Sequence, residues 1–151
     1  MNVVAHTMQY MGGEVDPPFL EIRSYLDSDY PAYREIYNDC FTDMRQALGV
    51  YPIECCDTRE RLLKKSENIF LLEIGGRLAG SIAIYNNEID DLIVARQYRR
   101  KGYGQGLLRF AVARMQHMGV SPIMLHVADW KRGALELYSQ NGSRVIKTET
   151  V

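Results

Sequence analysis

Residues 69–94 hold three apolar, β-branched runs, Ile69–Ile74, Leu78–Tyr85 and Glu88–Val94, parted by "GGR" and "NN". Links this short join antiparallel neighbours, so the runs predict three consecutive hairpin strands. The last run enters "ARQYRRKGYGQGLL", where cations crowd against alternating glycines ahead of a helical pattern. From Gly104 to Met118, Leu107, Leu108, Ala111, Val112 and Met115 share one helical face, with Gly119 at the stop. A meander feeding a crossover helix narrows the chain to an α/β architecture.

The flanking segments extend that frame. Leu20, Ile22 and the Tyr25/Leu26 pair predict a short strand, followed by the N-capping residues Asp27, Ser28 and Asp29. Tyr33, Ile36, Tyr37, Cys40, Phe41 and Met44 then form one helical stripe. A capping-box-like Asp57 and Glu60 open a short helix before Leu62 and Leu63. Downstream, Ile123–Val127 is a buried strand, Arg132–Gln140 a helix closed by Asn141 and Gly142, and Arg144–Thr148 a last strand. The expected order is β, α, α, β, β, β, α, β, α, β.

Composition limits the partners. The chain has 151 residues, the size of one domain, and a formal charge of -1, so any anion site is local and not a property of the whole surface. Cys40, Cys55 and Cys56 offer no CxxC pair, and His6, His117 and His126 are scattered, so no metal site is expected. The amino terminus lacks a basic start and no long apolar run occurs, so the expectation is a cytoplasmic protein without a membrane partner. Nucleic acid is not expected either, because the cations lie in one turn without interleaved stacking aromatics.

The basic loop resists the familiar phosphate fingerprints. Gly102 and Gly104 suit a dinucleotide motif, but the sixth position is Leu107, and "GQGLL" lacks the Lys-Ser/Thr of a Walker A loop. What remains is a strand, Arg99-x-x-Gly102-x-Gly104 and a helix N-terminus, an arrangement that suits a pyrophosphate. The same glycines also suit a plain tight turn with solvated cations, and the loop alone does not separate the two.

Two segments together do. "DDLIVARQYRRKGYGQGLL" and "VADWKRGALELYSQNG", with Arg99, Gly102, Gly104, Ala134, Leu137, Tyr138 and Gly142 at the motif positions, resemble the GNAT superfamily of acyl-CoA-dependent N-acyltransferases over roughly residues 20 to 148. The resemblance implies one α/β (α+β) domain with a mixed, mostly antiparallel sheet of about six strands, splayed at the centre and flanked by about four helices. Residues 20–151 would form it behind an N-terminal extension, 1–19. It further implies acetyl-CoA as cosubstrate, with the pantetheine arm on the backbone of Leu92, Ile93 and Val94, near which a bulge often opens the wedge. The pyrophosphate would sit on residues 99–105, that is Arg99, Arg100, Lys101, Gly102, Tyr103, Gly104 and Gln105. Lys131 and Tyr138 complete the expected cofactor contacts.

Acyl transfer to an amine calls for a base to free the nitrogen and an acid to protonate the departing thiolate. Tyr138 matches the tyrosine that serves the family as acid, and Glu88 stands where the histone-acetylating branch carries its glutamate; Asp90, Asp91 or water are the other candidate bases. The expected activity is transfer of acetyl from acetyl-CoA to a primary amine, on a small molecule or peptide, by direct transfer in a ternary complex. A catalytically silent acyl-CoA-binding sensor is the alternative. Three departures bear on that choice: Lys131 stands at a frequent asparagine, Arg96 at a frequent proline and Ser143 at a frequent aromatic. Nine residues follow Gly142, where the family forms a two-stranded hairpin. Either "NVVAHTMQYM" or a second subunit, in a homodimer, is expected to cover the edge this leaves. The segment "LGVYPIECCDT", with Tyr51, Glu54 and Asp57, hints at a cationic acceptor.

Overall fold

The computed structural model describes residues 3–47 and 54–150, and of residues 42–47 the backbone alone. Seven strands form one sheet: β1 (Val4–Tyr10), β2 (Ile22–Ser24), β3 (Ile69–Ile74), β4 (Arg77–Tyr85), β5 (Glu88–Val94), β6 (Met124–Ala128) and β7 (Ser143–Thr150). Four helices accompany them: α1 (Tyr30–Ala47), α2 (Arg59–Lys64), α3 (Tyr103–His117) and α4 (Arg132–Gln140). The strand order is β2-β3-β4-β5-β6-β1-β7.

Alternation along the strands divides the core in two. Phe70, Leu72, Ala79, Ile82 and Ile89 pack with Leu107, Leu108, Ala111 and Met115 of α3 and with Tyr138 of α4. On the opposite face Ile69, Leu71 and Ala83 meet Tyr33 of α1 and Leu62 of α2. The stripe on α1 is graded: Tyr33 is fully buried, whereas Tyr37, Cys40 and Phe41 are only partly covered. The Met44 side chain and Tyr51 lie outside the described residues. At α2 the capping hydroxyl belongs to Thr58, whose side chain accepts from the Arg61 amide at 3.3 Å. Asp57 sits one residue too early for that bond and instead pairs with Lys65 at 3.1 Å.

The strand that precedes the expected element order is β1, supplied by the segment "NVVAHTMQYM". It runs antiparallel to β6, with Met8 opposite Leu125, and antiparallel to β7, with Val4 opposite Thr150 and Tyr10 opposite Ser143. Its place is therefore inside the sheet, between two strands that do not pair with each other, and Met8 is wholly buried against the α3 side of the core. Replacing Met8 by alanine is predicted to lower the unfolding free energy by about 2–4 kcal/mol, the usual cost of a core methionine. Urea denaturation monitored by circular dichroism measures it; a loss below about 1 kcal/mol would mean that β1 is not part of the cooperative core.

Candidate active site

The site begins as an irregularity in β5. Ser81 lies opposite Ile93 and Ala83 opposite Asp90, so β5 spends one residue more than β4 over the same stretch, a bulge at Asp91 and Leu92. Asp91 takes a positive φ of 48°, a conformation for which aspartate and asparagine are enriched. Its amide is satisfied locally, donating to Asp90 Oδ1 at 2.8 Å. On its other edge β5 joins β6 in parallel through Glu88 opposite Met124 and Ile89 opposite Leu125, and there the pairing stops. Beyond Ile89 the two strands part, and the wedge between them is the site.

Towards the helix α3 end, the wedge opens into a cleft of about 650 Å³ floored by Leu92, Ile93 and Val94 and bounded by the basic loop and by α4. Arg100 and Gly102 both have positive φ, 62° and 85°, bending the loop so that α3 starts at Tyr103 facing the cleft. The amides of Tyr103, Gly104 and Gln105 open that helix and have no carbonyl of their own helix to bond, which makes the end attractive to an anion. At Gly104 a Cβ would stand 3.6 Å from Leu137 and 3.7 Å from Val94, in ordinary contact with both, and the residue lines the cleft.

The loop cations divide by role. Arg99 turns back onto the strand, donating from Nε to the Val94 carbonyl at 3.0 Å and from Nη2 to Cys40 Sγ at 3.3 Å. Arg96 meets Asp39 at 3.4 Å. Arg100 and Lys101 are exposed and make no ion pair among the described residues.

On the α1 side lies a smaller cavity of about 190 Å³, bordered by Asp90, Asp91 and His126. Phe41, Leu92, Lys131, Ala134 and Tyr138 line both spaces, so they mark where one passes into the other. Tyr138 is 8% exposed, and burial, with smaller contributions from Asp90 and Asp91, pushes its phenol up to about 12. Burial also holds the Asp91 carboxyl above the usual carboxylate range, although it accepts a hydrogen bond from the Tyr37 hydroxyl at 3.0 Å. Lys131 Nζ lies 4.1 Å from the centroid of the Phe41 ring. That ring ends a ladder through Tyr33 and Tyr37, with centroid separations of 5.7 and 4.7 Å, that fixes the cavity wall to the second core.

Glu88 does not border the cavity. It sits half-exposed at the start of β5, its Oε1 3.3 Å from Nε2 of His126, whose Nδ1 meets Thr7 Oγ1 of β1 at 3.1 Å. The structure thus brings together Tyr138, Lys131, Leu92 and Val94 and leaves Glu88 one imidazole away. Phe41 was absent from the expected site residues, and Asp91 was among them only as an alternative base. The helical period placed Phe41 on a core stripe, and no local signal marks Asp91 as the bulge residue. Among the described residues no group of three or more His, Cys, Asp or Glu is placed to hold a metal ion, and no helix is long and apolar enough to cross a membrane.

Residues 30–142 match the acetyltransferase (GNAT) family. An L-ornithine N5-acetyltransferase of Arabidopsis thaliana is 36% identical over 145 residues, which cover 86% of this chain and 60% of that protein. The chain therefore spans about 60% of that relative's length. Among solved structures, a GCN5-related N-acetyltransferase from Sphaerobacter thermophilus superposes with a TM-score of 0.72 at 21% identity, covering 98% of this chain and 50% of the other. The PaiA N-acetyltransferase from Thermoplasma acidophilum, solved in complex with coenzyme A, gives 0.65 at 20% identity over 82% and 89% of the two chains. These two likenesses establish the fold.

Because burial raises the Asp91 carboxyl from its ordinary 3.8, the folded chain holds this proton more tightly than the unfolded one. Its contribution to stability is complete below about pH 4 and is lost as pH rises through the folded value. Asp91→Asn suits the left-handed backbone and still accepts from Tyr37, so it is predicted to gain stability over the wild type progressively above about pH 4 before the difference levels off. Tyr37→Phe removes the bond that lowers the carboxyl and shifts the levelling-off to higher pH. Denaturation midpoints measured across the pH range check this; a pH-independent difference would contradict the assignment.

Proposed function

The chain belongs to the acetyltransferase (GNAT) family, and from that premise we propose that it moves the acetyl group of acetyl-CoA to a primary amine by direct transfer in a ternary complex. One observation carries the reading: a buried, firmly protonated tyrosine, Tyr138, lies where a long cleft with an open strand edge meets a small acidic cavity.

The cleft fits the cosubstrate. Past Ile89 the β6-facing edge of β5 is without a strand partner, so the backbone of Leu92, Ile93 and Val94 is free to pair with the amide-bearing pantetheine arm as with an added strand. The amides of Tyr103, Gly104 and Gln105, with Gly102 supplying the turn, hold the pyrophosphate. Arg100 and Lys101 add charge at its rim, and Arg99 steadies the loop by its bond to Val94. Bound there, acetyl-CoA supplies an activated acyl group on a thiol leaving group.

The small cavity supplies the acceptor side. Asp90 and Asp91 favour an alkylammonium, and the Phe41 face offers a second cation contact, already used by the Lys131 ammonium. The acceptor proposed is a small molecule with a side-chain amine, of the kind named for the Arabidopsis relative. A water at the cavity wall takes a proton from that amine and passes it outward along His126 and Glu88, which are hydrogen-bonded at the rim. Tyr138 gives its proton to the departing sulfur, for which a phenol that stays protonated at neutral pH is suited. No disulfide joins Cys40, Cys55 and Cys56, which supports work in a reducing compartment such as the cytoplasm.

Tyr138→Phe is predicted to keep acetyl-CoA binding while lowering turnover on L-ornithine by about 10²-fold or more, the usual contribution of an acid–base group. Thiol release measured alongside equilibrium binding checks it. Unchanged turnover would remove Tyr138 from the role, and turnover on no small amine would overturn the acceptor class.

A further inference from the structure

Among the described residues, Lys131 is the one lysine that lines both the cleft and the acidic cavity. It immediately precedes α4 and its neighbour Trp130 is exposed, yet its own side chain folds inward. Nζ rests 4.1 Å from the Phe41 ring centroid, in a cavity that also holds Asp90, Asp91 and Tyr138. These are the surroundings proposed above for an acceptor amine, and they already contain one. Burial pulls this ammonium below the usual lysine range, against the opposing influence of Cys40, Asp91 and Asp90, so a larger fraction is the neutral nucleophile at a given pH. By contrast Lys64, Lys101 and Lys147 are exposed, and Lys65 is held by Asp57.

We propose that Lys131 is itself an acetyl acceptor, modified on Nζ within its own chain by acetyl-CoA in the adjoining cleft when no external amine fills the acidic cavity. The proposal rests on the reading of that cleft as an acetyl-CoA site. Asp91 or water first takes one proton from the ammonium. The neutral nitrogen then attacks the thioester carbonyl carbon; the N–C bond forms and the C–S bond breaks. Tyr138 gives its proton to the departing sulfur, and the second proton lost by the nitrogen passes through water to the Tyr138 phenolate, so coenzyme A leaves as the free thiol, the phenol is restored and no oxidant or reductant is needed. The amide product is neutral and one acetyl group larger. It loses the charge that faces the Phe41 ring and narrows the passage between cleft and cavity, so the modification limits further turnover.

The test incubates the whole chain with isotopically labelled acetyl-CoA and no amine, then maps acetylated peptides by mass spectrometry while equilibrium dialysis reports bound cosubstrate. The expected result is one hydroxylamine-stable acetyl group on Lys131, formed at least about tenfold faster than on Lys64 or Lys147, since proximity alone supplies more than this. Excess unacetylated coenzyme A should suppress labelling of Lys131 but not of the exposed lysines, and Lys131→Arg should remove the fast increment from the intact mass. Bound acetyl-CoA with Lys131 unlabelled, or labelled no faster than Lys64, would overturn this inference and leave the transferase reading standing. Absence of bound acetyl-CoA would overturn both.

Discussion

Past Ile89 the backbone of β5 leaves β6 because it carries one residue too many. Asp91 absorbs that residue in a left-handed conformation, and the local twist a bulge adds carries the strand away from a neighbour to which it is joined by only two rungs. Everything at the site depends on this parting. The cleft has a backbone floor because the edge beyond Ile89 has no partner strand, and the acidic cavity lies between the parted strands, where Ala134 and Tyr138 of α4 line it. An unpaired strand edge is costly inside a protein, and the surroundings answer part of it: Arg99 and Cys40 bond the Val94 carbonyl, and the Asp90 side chain bonds the Asp91 amide.

Chemistry follows from which groups the gap leaves buried. Tyr138 and Asp91 are both pushed towards their protonated forms, and Lys131 towards its neutral form, by the same low polarity. Each shift favours a state useful in acyl transfer: a phenol with a proton to give, a carboxyl poised to exchange one, an amine able to attack. The exposed pair Glu88 and His126 stands at the rim, where a proton reaches water. Protonation preference therefore maps onto depth, with the buried phenol of Tyr138 innermost and the exposed Glu88 and His126 outermost.

Much of this was readable in the chain because local physics dictates it. Gly102 has positive φ, so the first glycine of the motif encodes the turn that aims α3 at the cleft, and Gly104 lies in the first turn of that helix on the cleft wall. The apolar periods of β3, β4, α3 and α4 likewise follow from which face each buries. β1 was harder to place, because only Met8 of its seven residues is fully buried and its position between β6 and β7 rests on pairings across more than a hundred residues. The resemblance implied a bulge near Leu92–Val94, but no local pattern placed it at Asp91, since simple alternation assigns Asp90 and Asp91 to opposite faces whereas both border the acidic cavity. Phe41 looked like core from its helical spacing; only the packing of α1 beside the wedge turns it into a cavity wall.

The central claim is that the parted strands and the glycine loop together form an acetyl-CoA cradle. Calorimetric titration of the intact chain with acetyl-CoA, beside the same titration of Gly104→Glu, tests it most directly. The account predicts saturable one-to-one binding with Kd on the order of micromolar, abolished in the variant because a carboxylate at this cleft-lining position sets negative charge at the helix N-terminus proposed for the pyrophosphate. Equal binding by both proteins, or none by the intact chain, would mean that the glycines only turn the backbone and that the wedge holds something else.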